Sequence, residues 1–325
     1  MPGERHPAER LRLLAKIAEM YYVDGFSQQE IAERIRLSRP SISRLLVDAR
    51  ETGIVEIAVN HPIPTVPALE AALESHFPLR RAHVFERKTA ADDETLRVVG
   101  RLGAIALSSA LQDGMILGLA WGRGVHAAIA ALQPQSLPRL RVVQIIGGVG
   151  APYRDIDGPE QCRRAGEMFD AQHYYLNAPL LVDSPAVAAA LREDHSIKEA
   201  LELARQADVA LVGIGTVVAD NSTGHRSGYI TTEDLRRLED LGAVGSICTY
   251  HYDICGQPVP AEWITDCAVT VTWDDFTHIG LVIGVASGKA KAAAILGAIR
   301  SGILDVLVTD DAAAEEVLAL MEDSA

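Results

Sequence analysis

The sequence has few cysteines, no long apolar run and no excess of basic residues, and each absence excludes a class of protein. Four cysteines scattered over 325 residues are too few for a disulfide framework, so we expect buried free thiols. No apolar run reaches the roughly 18 residues that a membrane-spanning helix needs. The polar residues 1–12 lack the apolar core of a signal peptide. These features predict a soluble, cytoplasmic protein with no membrane partner.

The balance of charge is acidic, which argues against a protein that binds nucleic acid over its whole surface. The formal net charge is −14. The first 60 residues nevertheless hold nine basic and nine acidic side chains, so the excess of acid lies entirely in the rest of the chain. A neutral N-terminal segment can present a basic face to DNA while the acidic remainder opposes indiscriminate binding.

A proline-rich segment divides the sequence into two parts of different pattern. Residues 60–67 contain three prolines, which neither continue a helix nor donate to a β-ladder, so we expect a stiff linker there. It separates a small domain at 1–59 from a large domain at 68–325. In the large domain, apolar segments alternate with segments of helical periodicity, which is typical of an α/β fold with a mostly parallel sheet. The predicted strands are 115–119, 141–146, 209–214, 244–248, 280–285 and 305–309, and the predicted helices are 93–112, 123–132, 159–173, 185–206, 231–240, 288–301 and 311–321.

The small domain shows the pattern of three helices with clear start signals. The first is predicted over 8–24. Ser27 and Glu30 have the spacing of a capping box, in which each residue satisfies the backbone N–H of the other, and they start a short second helix. After a tight turn, Ser38 is placed to cap the third helix. Segment 54–59 is predicted as a strand, either the start of a wing or only a connection.

The third helix has the outward face that a DNA-recognition helix needs. Its apolar residues form one stripe, which leaves Arg44 and small hydroxyl residues on the opposite face. Small residues let a helix enter the major groove, and donors reach base edges and phosphates. The alternative is a three-helix protein-interaction module in which Arg44 is only solvated. The candidate DNA-binding residues are Ser27, Gln28, Gln29, Ser38, Arg39, Pro40, Ser41, Ser43, Arg44 and Arg50.

Three glycine-rich segments, 118–124, 147–150 and 213–216, follow predicted strands and indicate a binding pocket. In an open parallel sheet, ligands bind beyond the carboxyl ends of the strands. Free N–H groups at the helix start after 118–124 can bind an anion, and Arg123 can add a charge-assisted contact to a phosphate or carboxylate. Segment 284–291 also follows a predicted strand, and its lysines can neutralise a phosphate. The alternative is that these segments are only tight turns and that the lysines are only solvated.

Motifs for catalysis or for a cofactor are missing. There is no nucleophile elbow and no obvious Cys–His pair, and the glycine spacing matches neither a dinucleotide fingerprint nor a P-loop. The spacing of Cys248, His251, Cys255 and Cys267 fits no usual zinc site well. We therefore expect no catalytic residue, no metal and no cofactor.

Taken together, the motifs resemble one known family. The segments that carry the resemblance are 26–32, 37–46, 49–55, 118–124, 178–179, 207–208, 213–215, 242–245 and 307–310. On these segments the chain resembles the SorC family of sugar-responsive bacterial transcription regulators, over essentially its whole length.

The resemblance implies a fold, partners and ligand contacts. The large domain is then a Rossmann-like domain of the phosphosugar-isomerase type used as a sensor, and the protein is a homotetramer on operator DNA. Segment 121–124 binds the phosphate of a phosphorylated sugar, polyol or related metabolite, with Lys291 and Asp253 as further contacts. The chain departs from the family at Arg123–Gly124, where Ser or Thr is common, and at Ser246, where an acidic residue is usual. The candidate effector-binding residues are Gly118, Trp121, Gly122, Arg123, Gly124, Gly147, Gly148, Asn177, Ala178, Gly213, Gly215, Asp253 and Lys291.

The sequence therefore predicts a DNA-binding regulator of a carbohydrate or polyol catabolic operon, not an enzyme. A small sugar-phosphate-like effector changes its affinity for the operator. Two alternatives stay open. A sugar-phosphate isomerase-like enzyme with an N-terminal interaction module would turn over its ligand, and a protein-binding scaffold would show no salt-sensitive affinity for an operator.

Overall fold

The computed structural model describes residues 7–55, 62–87, 91–150 and 154–323. The chain divides into two units, Met1–Pro62 and Ile63–Ala325. Within the described ranges, no helix combines the length and the apolar character that crossing a membrane requires.

Three helices form the N-terminal unit: α1 (Pro7–Tyr22), α2 (Gln28–Ile35) and α3 (Arg39–Glu51). Each is amphipathic and turns its apolar side toward the other two. The predicted strand at 54–59 is not formed at its first two residues, which lie in a bend, and the rest of that segment lies outside the described residues. The buried apolar residues that form the core are Leu14, Ile17, Ala18, Ile31, Ala32, Ile42, Leu46 and Ala49.

The side chains of Ser27 and Ser38 start α2 and α3, as the sequence predicted. The Ser27 hydroxyl accepts from the Glu30 N–H, and the Glu30 carboxylate accepts from the Ser27 N–H at 2.8 Å. These bonds from Ser27 lower the pKa of Glu30, because they favour its ionised form. The Ser38 hydroxyl accepts from the Ser41 N–H at 3.3 Å, and Pro40 lies in the first turn, where no N–H is needed.

The C-terminal unit alternates strands and helices along the chain. Its strands are β1 (Arg81–Phe85), β2 (Ile116–Leu119), β3 (Arg141–Gln144), β4 (Gln172–Tyr174), β5 (Val209–Gly213), β6 (Gly215–Thr216), β7 (Ala243–Ile247), β8 (Tyr250–Asp253), β9 (Leu281–Val285) and β10 (Val306–Asp310). Its helices are α4 (Pro67–His76), α5 (Asp92–Ala110), α6 (Arg123–Ala130), α7 (Gly158–Phe169), α8 (Pro185–Glu193), α9 (His195–Arg205), α10 (Thr223–Arg226), α11 (Thr232–Asp240), α12 (Glu262–Thr265), α13 (Ala292–Arg300) and α14 (Asp311–Asp323). Short 3-10 helices lie at Arg154–Ile156, Ala219–Asn221, Asp274–His278 and Lys289–Lys291.

Seven strands form one parallel sheet in the order β1-β10-β9-β5-β2-β3-β4. Leu117 of β2 pairs with Val142 of β3 on one side and with Val209 of β5 on the other. The inner strands are continuous apolar runs that are buried almost completely, because helices pack over a parallel sheet and exclude water from it. This is the α/β architecture that the sequence predicted.

The remaining three strands form a small antiparallel sheet in the order β6-β7-β8. The predicted strand 244–248 belongs to this second sheet and not to the parallel one. Its last predicted residue, Cys248, has left-handed backbone geometry with φ 47° and lies in the turn between β7 and β8. An apolar pattern of five residues does not distinguish a parallel from an antiparallel partner, which explains the difference.

Several other boundaries differ from the prediction. The helix expected at 185–206 is two helices, because Asp194 ends α8 and its carboxylate accepts from the Ser196 N–H at the start of α9. The edge strands β1 and β4 were not predicted, and β4 is exposed along its whole length, so it has no apolar run. Pro67, the last residue of the expected linker, is the first residue of α4.

Candidate functional site

A cavity of about 480 Å³ opens at the carboxyl ends of β2, β5 and β9, which are neighbours in the parallel sheet. The chain leaves β2 toward β3 and β4 on one side of the sheet, and it leaves β5 toward β9 and β10 on the other side. Open parallel sheets bind ligands where the strand order reverses in this way. The fold thus places the cavity at the position where a ligand is expected.

The turn after β2 forms the floor of the cavity and leads into α6. Gly122 has a φ of 118°, a conformation that a residue with a side chain adopts only with strain. Gly124 is required for a different reason, since a Cβ there would lie 2.6 Å from the carbonyl oxygen of Val285 in β9. The two glycines bring the first turn of α6 to the cavity, where the positive end of the helix dipole favours an anion.

The turn after β9 brings Lys291 to the same cavity. Gly288 has a φ of 94°, and its N–H donates to the carboxylate of the buried Asp310. That bond fixes the turn, and the short 3-10 helix that follows places Lys291 at its end. The Lys291 ammonium donates to the backbone carbonyl of Ile214, just after β5. Burial, together with the charge of Arg123, lowers the pKa of Lys291 to about 8.

The cavity is cationic. Four basic side chains line it, against one carboxylate, Asp92. Three of the four have carboxylate partners: Arg87 pairs with Asp310 and Asp311, Arg123 with Asp93, and Lys289 with Glu316. Among the described residues, Lys291 is the lining cation without a carboxylate partner. An anionic ligand is the natural partner for such a charge.

Another wall of the cavity is uncharged and rich in hydroxyl groups. It comes from the small antiparallel sheet and from the segment around α10. Tyr229 donates to the carbonyl of Val149 at 3.2 Å, so one of these hydroxyls already has a protein partner. The polar residues of this wall are Thr216, Asn221, Ser222, Thr223, Tyr229, Ser246, Thr249 and His251.

Seven of the candidate effector-binding residues line the cavity and six do not. The seven are Trp121, Gly122, Arg123, Gly124, Gly213, Gly215 and Lys291. They lie at or just after the carboxyl ends of β2, β5 and β9, which the strand order brings together. The remaining six are Gly118, Gly147, Gly148, Asn177, Ala178 and Asp253.

Packing accounts for the glycines outside the cavity. Gly118 lies within β2, where a Cβ would come within 2.7 Å of the Ile145 side chain. A Cβ on Gly147 would lie 2.4 Å from the Pro179 carbonyl oxygen, which allows segments 146–148 and 178–180 to pack closely. The Gly148 N–H donates to the Ala178 carbonyl at 2.9 Å as part of the same contact.

The two polar candidates outside the cavity are Asn177 and Asp253. Asn177 is exposed to solvent. The Asp253 carboxylate accepts from the N–H groups of Cys255 and Gln257 at 2.9 and 2.8 Å, so it holds the turn after β8.

Sequence reasoning missed most of the uncharged wall. Thr216, Ser222 and Thr249 are single hydroxyl residues in segments without glycine repeats or charge, so no local pattern marks them. Ser222 had one signal, since it caps the short helix α10. In the sequence, His251 belonged to a group of Cys and His residues whose spacing fits no usual zinc site well. Its place in the cavity follows from the pairing of β7 with β8, which depends on the tertiary fold.

The N-terminal unit presents an exposed face on α3. Arg39, Pro40, Ser43, Arg44 and Arg50 are exposed, and none of these arginines forms an ion pair within the described part of the chain. Most of the remaining candidate DNA-binding residues form hydrogen bonds within the N-terminal unit. The hydroxyls of Ser27, Ser38 and Ser41 take part in helix caps, and the Gln29 amide donates to Glu33, whereas Gln28 is half-buried.

The cysteines do not form a cluster. Cys162 and Cys248 are buried free thiols, and burial raises the pKa of both. The expectation of burial is wrong for Cys255, which is exposed in the turn after β8, and for Cys267, which is half-buried. Among the described residues, no group of three His, Cys, Asp or Glu side chains is placed to hold a metal.

Comparison with known proteins gives consistent matches over both units. The Sugar-bind family model, which describes a sugar-binding domain, matches residues 62–319. The deoxyribonucleoside regulator of Bacillus subtilis (strain 168) is 32% identical over 302 residues, covering 93% of this chain and 96% of that protein. The sorbitol operon regulator of Klebsiella pneumoniae is 30% identical over 317 residues, covering 96% of this chain and 99% of that protein.

The solved structures include a match to nearly the whole chain. The crystal structure of the full-length sorbitol operon regulator SorC from Klebsiella pneumoniae superimposes with a TM-score of 0.72 and 30% sequence identity. The match covers 95% of this chain and 99% of that one.

Proposed function

Because this chain belongs to the SorC family of sugar-binding transcriptional regulators, we propose that it regulates a carbohydrate or polyol catabolic operon by binding operator DNA in the cytoplasm. A small phosphorylated sugar, polyol or related metabolite binds in the cavity at the edge of the parallel sheet. This effector changes the affinity of the protein for its operator.

The Lys291 ammonium is the observation that carries the effector part of the proposal. It lies at the cavity with the first turn of α6, and no carboxylate in the described residues neutralises it. Its lowered pKa reflects the free-energy penalty of a charged group that is removed from water. A phosphate group relieves that penalty, because it pairs with the ammonium and accepts from the N–H groups of the helix start. The cavity volume of about 480 Å³ suits a ligand of this size.

The exposed face of α3 supports the DNA part of the proposal. Ser43 and Arg44 lie on it with no side chain of the described chain covering them. A recognition helix contacts base edges through such residues near its N-terminal half. Arg39 and Arg50 are exposed as well, and we propose that they contact phosphates, which supply most of the salt-dependent affinity.

We propose that the protein works as a homotetramer in which paired N-terminal units read a site with two-fold symmetry. The N-terminal unit, in which α2 and α3 form a helix-turn-helix, contacts one half-site, and a second copy is needed to extend the contact over the next helical turn of DNA. The effector then acts by shifting the equilibrium between arrangements that place the paired units at different spacings.

We propose binding without turnover. The lining residues include one carboxylate and one imidazole, and burial lowers the pKa of that imidazole, His251, to about 4, so it is a poor proton donor near neutral pH. The relatives' names describe regulators and not enzymes.

The experiment that tests the proposal is binding of the purified protein to the DNA upstream of its own gene. Affinity is measured at two salt concentrations, with and without a set of sugar phosphates and polyol phosphates. We expect specific, salt-sensitive binding that at least one compound changes. Absence of specific binding under every condition, together with turnover of a compound in the set, would overturn the proposal in favour of an enzyme.

A further inference from the structure

The turn between β7 and β8 has an unusual backbone for its sequence. Cys248 and Thr249 are the two residues of the turn, and their φ angles are 47° and 72°. Two-residue hairpin turns with two positive φ angles normally contain Asn and Gly, because a Cβ is unfavourable there. A β-branched residue such as Thr is especially strained in this conformation. Strain of this kind persists where the surrounding fold holds the residue in place, and it is common at ligand sites.

Two buried polar atoms beside this turn have no hydrogen-bond partner. They are the Thr249 hydroxyl oxygen and the Nδ1 atom of His251. Six buried side-chain atoms in the described part of the chain lack a partner, and these two are the ones whose residues line the cavity. A buried polar atom without a partner is unfavourable, so such atoms usually mark a bound water or ligand.

The strand register sets His251 in a row that faces the cavity. Gly215 of β6 pairs with Ser246 of β7, and Ser246 pairs with His251 of β8. Residues directly opposite one another in an antiparallel sheet share a face. Gly215 has no side chain, and a Cβ there would lie 2.4 Å from the Ser246 hydroxyl, so the Ser246 side chain packs directly against the Gly215 backbone. All three residues line the cavity.

This wall carries no charge. His251 is only 6% exposed, and burial lowers its pKa to about 4, so its ring is neutral near pH 7. The Cys248 thiol is buried, and its pKa is raised to about 12, so it stays protonated. A hydroxyl and a neutral imidazole both donate and accept hydrogen bonds, which suits the hydroxyl groups of a ligand and not an anion.

We propose that Thr249 and His251 form a subsite that recognises hydroxyl groups of the effector, in the uncharged wall of the cavity. The proposal rests on the proposed function, and it narrows the effector to an anion that also carries free hydroxyl groups. Thr249 and His251 select among anions by their hydroxyl pattern, while Lys291 and the start of α6 hold the charge.

The experiment compares the full-length wild-type protein with Thr249→Val and His251→Leu by calorimetric titration. The probes are inorganic phosphate, glycerol 3-phosphate, ribose 5-phosphate, deoxyribose 5-phosphate, glucose 6-phosphate and sorbitol 6-phosphate. Val keeps the branched shape of Thr and removes only the hydroxyl, so the variant isolates the hydrogen bond. We expect each variant to weaken the tightest of the polyhydroxy phosphates about 5- to 20-fold, as the loss of one or two hydrogen bonds predicts. Binding of inorganic phosphate stays within about twofold.

The Tm of Thr249→Val is a second measurement, because a hydroxyl with a purely structural role would lower the Tm when it is removed. Removing an unpartnered hydroxyl stabilises the ligand-free protein, so we expect Thr249→Val to raise its Tm by about 1–3 °C. The same variant then binds its effector more weakly although its fold is more stable.

The outcomes separate this inference from the proposed function. Variants that bind the polyhydroxy phosphates as tightly as the wild type would overturn the subsite alone and assign the two atoms to bound water. Equal weakening of inorganic phosphate and of the sugar phosphates would also overturn it. If the wild type binds no phosphate compound at all, the proposed effector class is wrong and the subsite falls with it.

Discussion

The ammonium of Lys291 donates a hydrogen bond to the backbone carbonyl of Ile214. Lys291 follows β9 and Ile214 follows β5, so this bond joins the turns after two neighbouring strands. An ammonium has three N–H groups, so two of them remain to donate to a ligand in the cavity. The fold thus holds the cation in place before an anion arrives, which reduces the entropy that binding would otherwise cost.

Effector affinity should fall with rising pH because Lys291 titrates near pH 8. Its pKa is lowered to about 8 in the free protein, whereas a sugar phosphate is already a dianion above pH 7, since its second pKa is about 6. Between pH 7 and 9.5 we expect calorimetry to show at least about tenfold weaker binding of the effector, as the loss of one charged hydrogen bond implies. Arg keeps its charge over this range, so Lys291→Arg should show a flatter profile. An equally steep decline in both proteins would contradict the role of Lys291.

Replacing Lys291 should stabilise the effector-free protein. The pKa of Lys291 lies below its ordinary value of 10.5, so the folded state disfavours the charged form. The resulting penalty is complete below pH 8, and it disappears as the pH rises from 8 to 10.5. Lys291→Met should therefore raise the free energy of unfolding at pH 7 by about 1–3 kcal/mol, measured by urea denaturation. A variant that is less stable than the wild type at pH 7 would contradict this account.

Substituting Arg44 should separate DNA binding from effector binding. We expect Arg44→Ala to weaken operator binding at least about tenfold, the effect of losing one base or phosphate contact. Calorimetry should show unchanged effector affinity, because the residue lies in the N-terminal unit. Arg12→Ala, which removes an exposed arginine from α1, is the matched control. If the control weakens operator binding as much as Arg44→Ala, α3 is not the recognition helix.

Gly122 and Gly302 form a matched pair that separates stability from effector binding. Both have positive φ, 118° and 74°, and a Cβ at either would meet no atom within 4 Å. Alanine at either position should lower the free energy of unfolding by about 1–2 kcal/mol through backbone strain. Gly122→Ala should also weaken effector binding, because Gly122 starts α6 at the cavity, whereas Gly302 lies in the turn after α13. Equal effector affinities in the two variants would remove the α6 turn from the site.

The sequence predicted those features that local chemistry determines. The caps at Ser27 and Ser38 depend on hydrogen bonds between residues three positions apart, so they can be recognised from the sequence alone. The turn at 121–124 follows from a strand with glycines after it and from the rule that the carboxyl ends of parallel strands meet. Lys291 lies in the comparable segment 284–291, where the family resemblance, and not a local pattern, distinguishes it from Lys289.

Features that depend on distant contacts could not be predicted in the same way. Gly118 looks like part of a ligand loop, but its contact with Ile145 of the neighbouring segment explains the glycine. His251 reaches the cavity only because β8 pairs with β7 in a particular register. The left-handed turn at Cys248–Thr249 has no sequence signal at all, since neither residue favours that conformation.

The most direct test of the account is the operator affinity of the wild type and of Lys291→Met, measured by fluorescence anisotropy with and without the effector identified in the binding screen. We predict that the effector changes the wild-type Kd for operator DNA at least about fivefold. Lys291→Met should bind the operator with the wild-type Kd and show no change when effector is added. A Lys291→Met protein that responds to the effector as the wild type does would contradict the central claim.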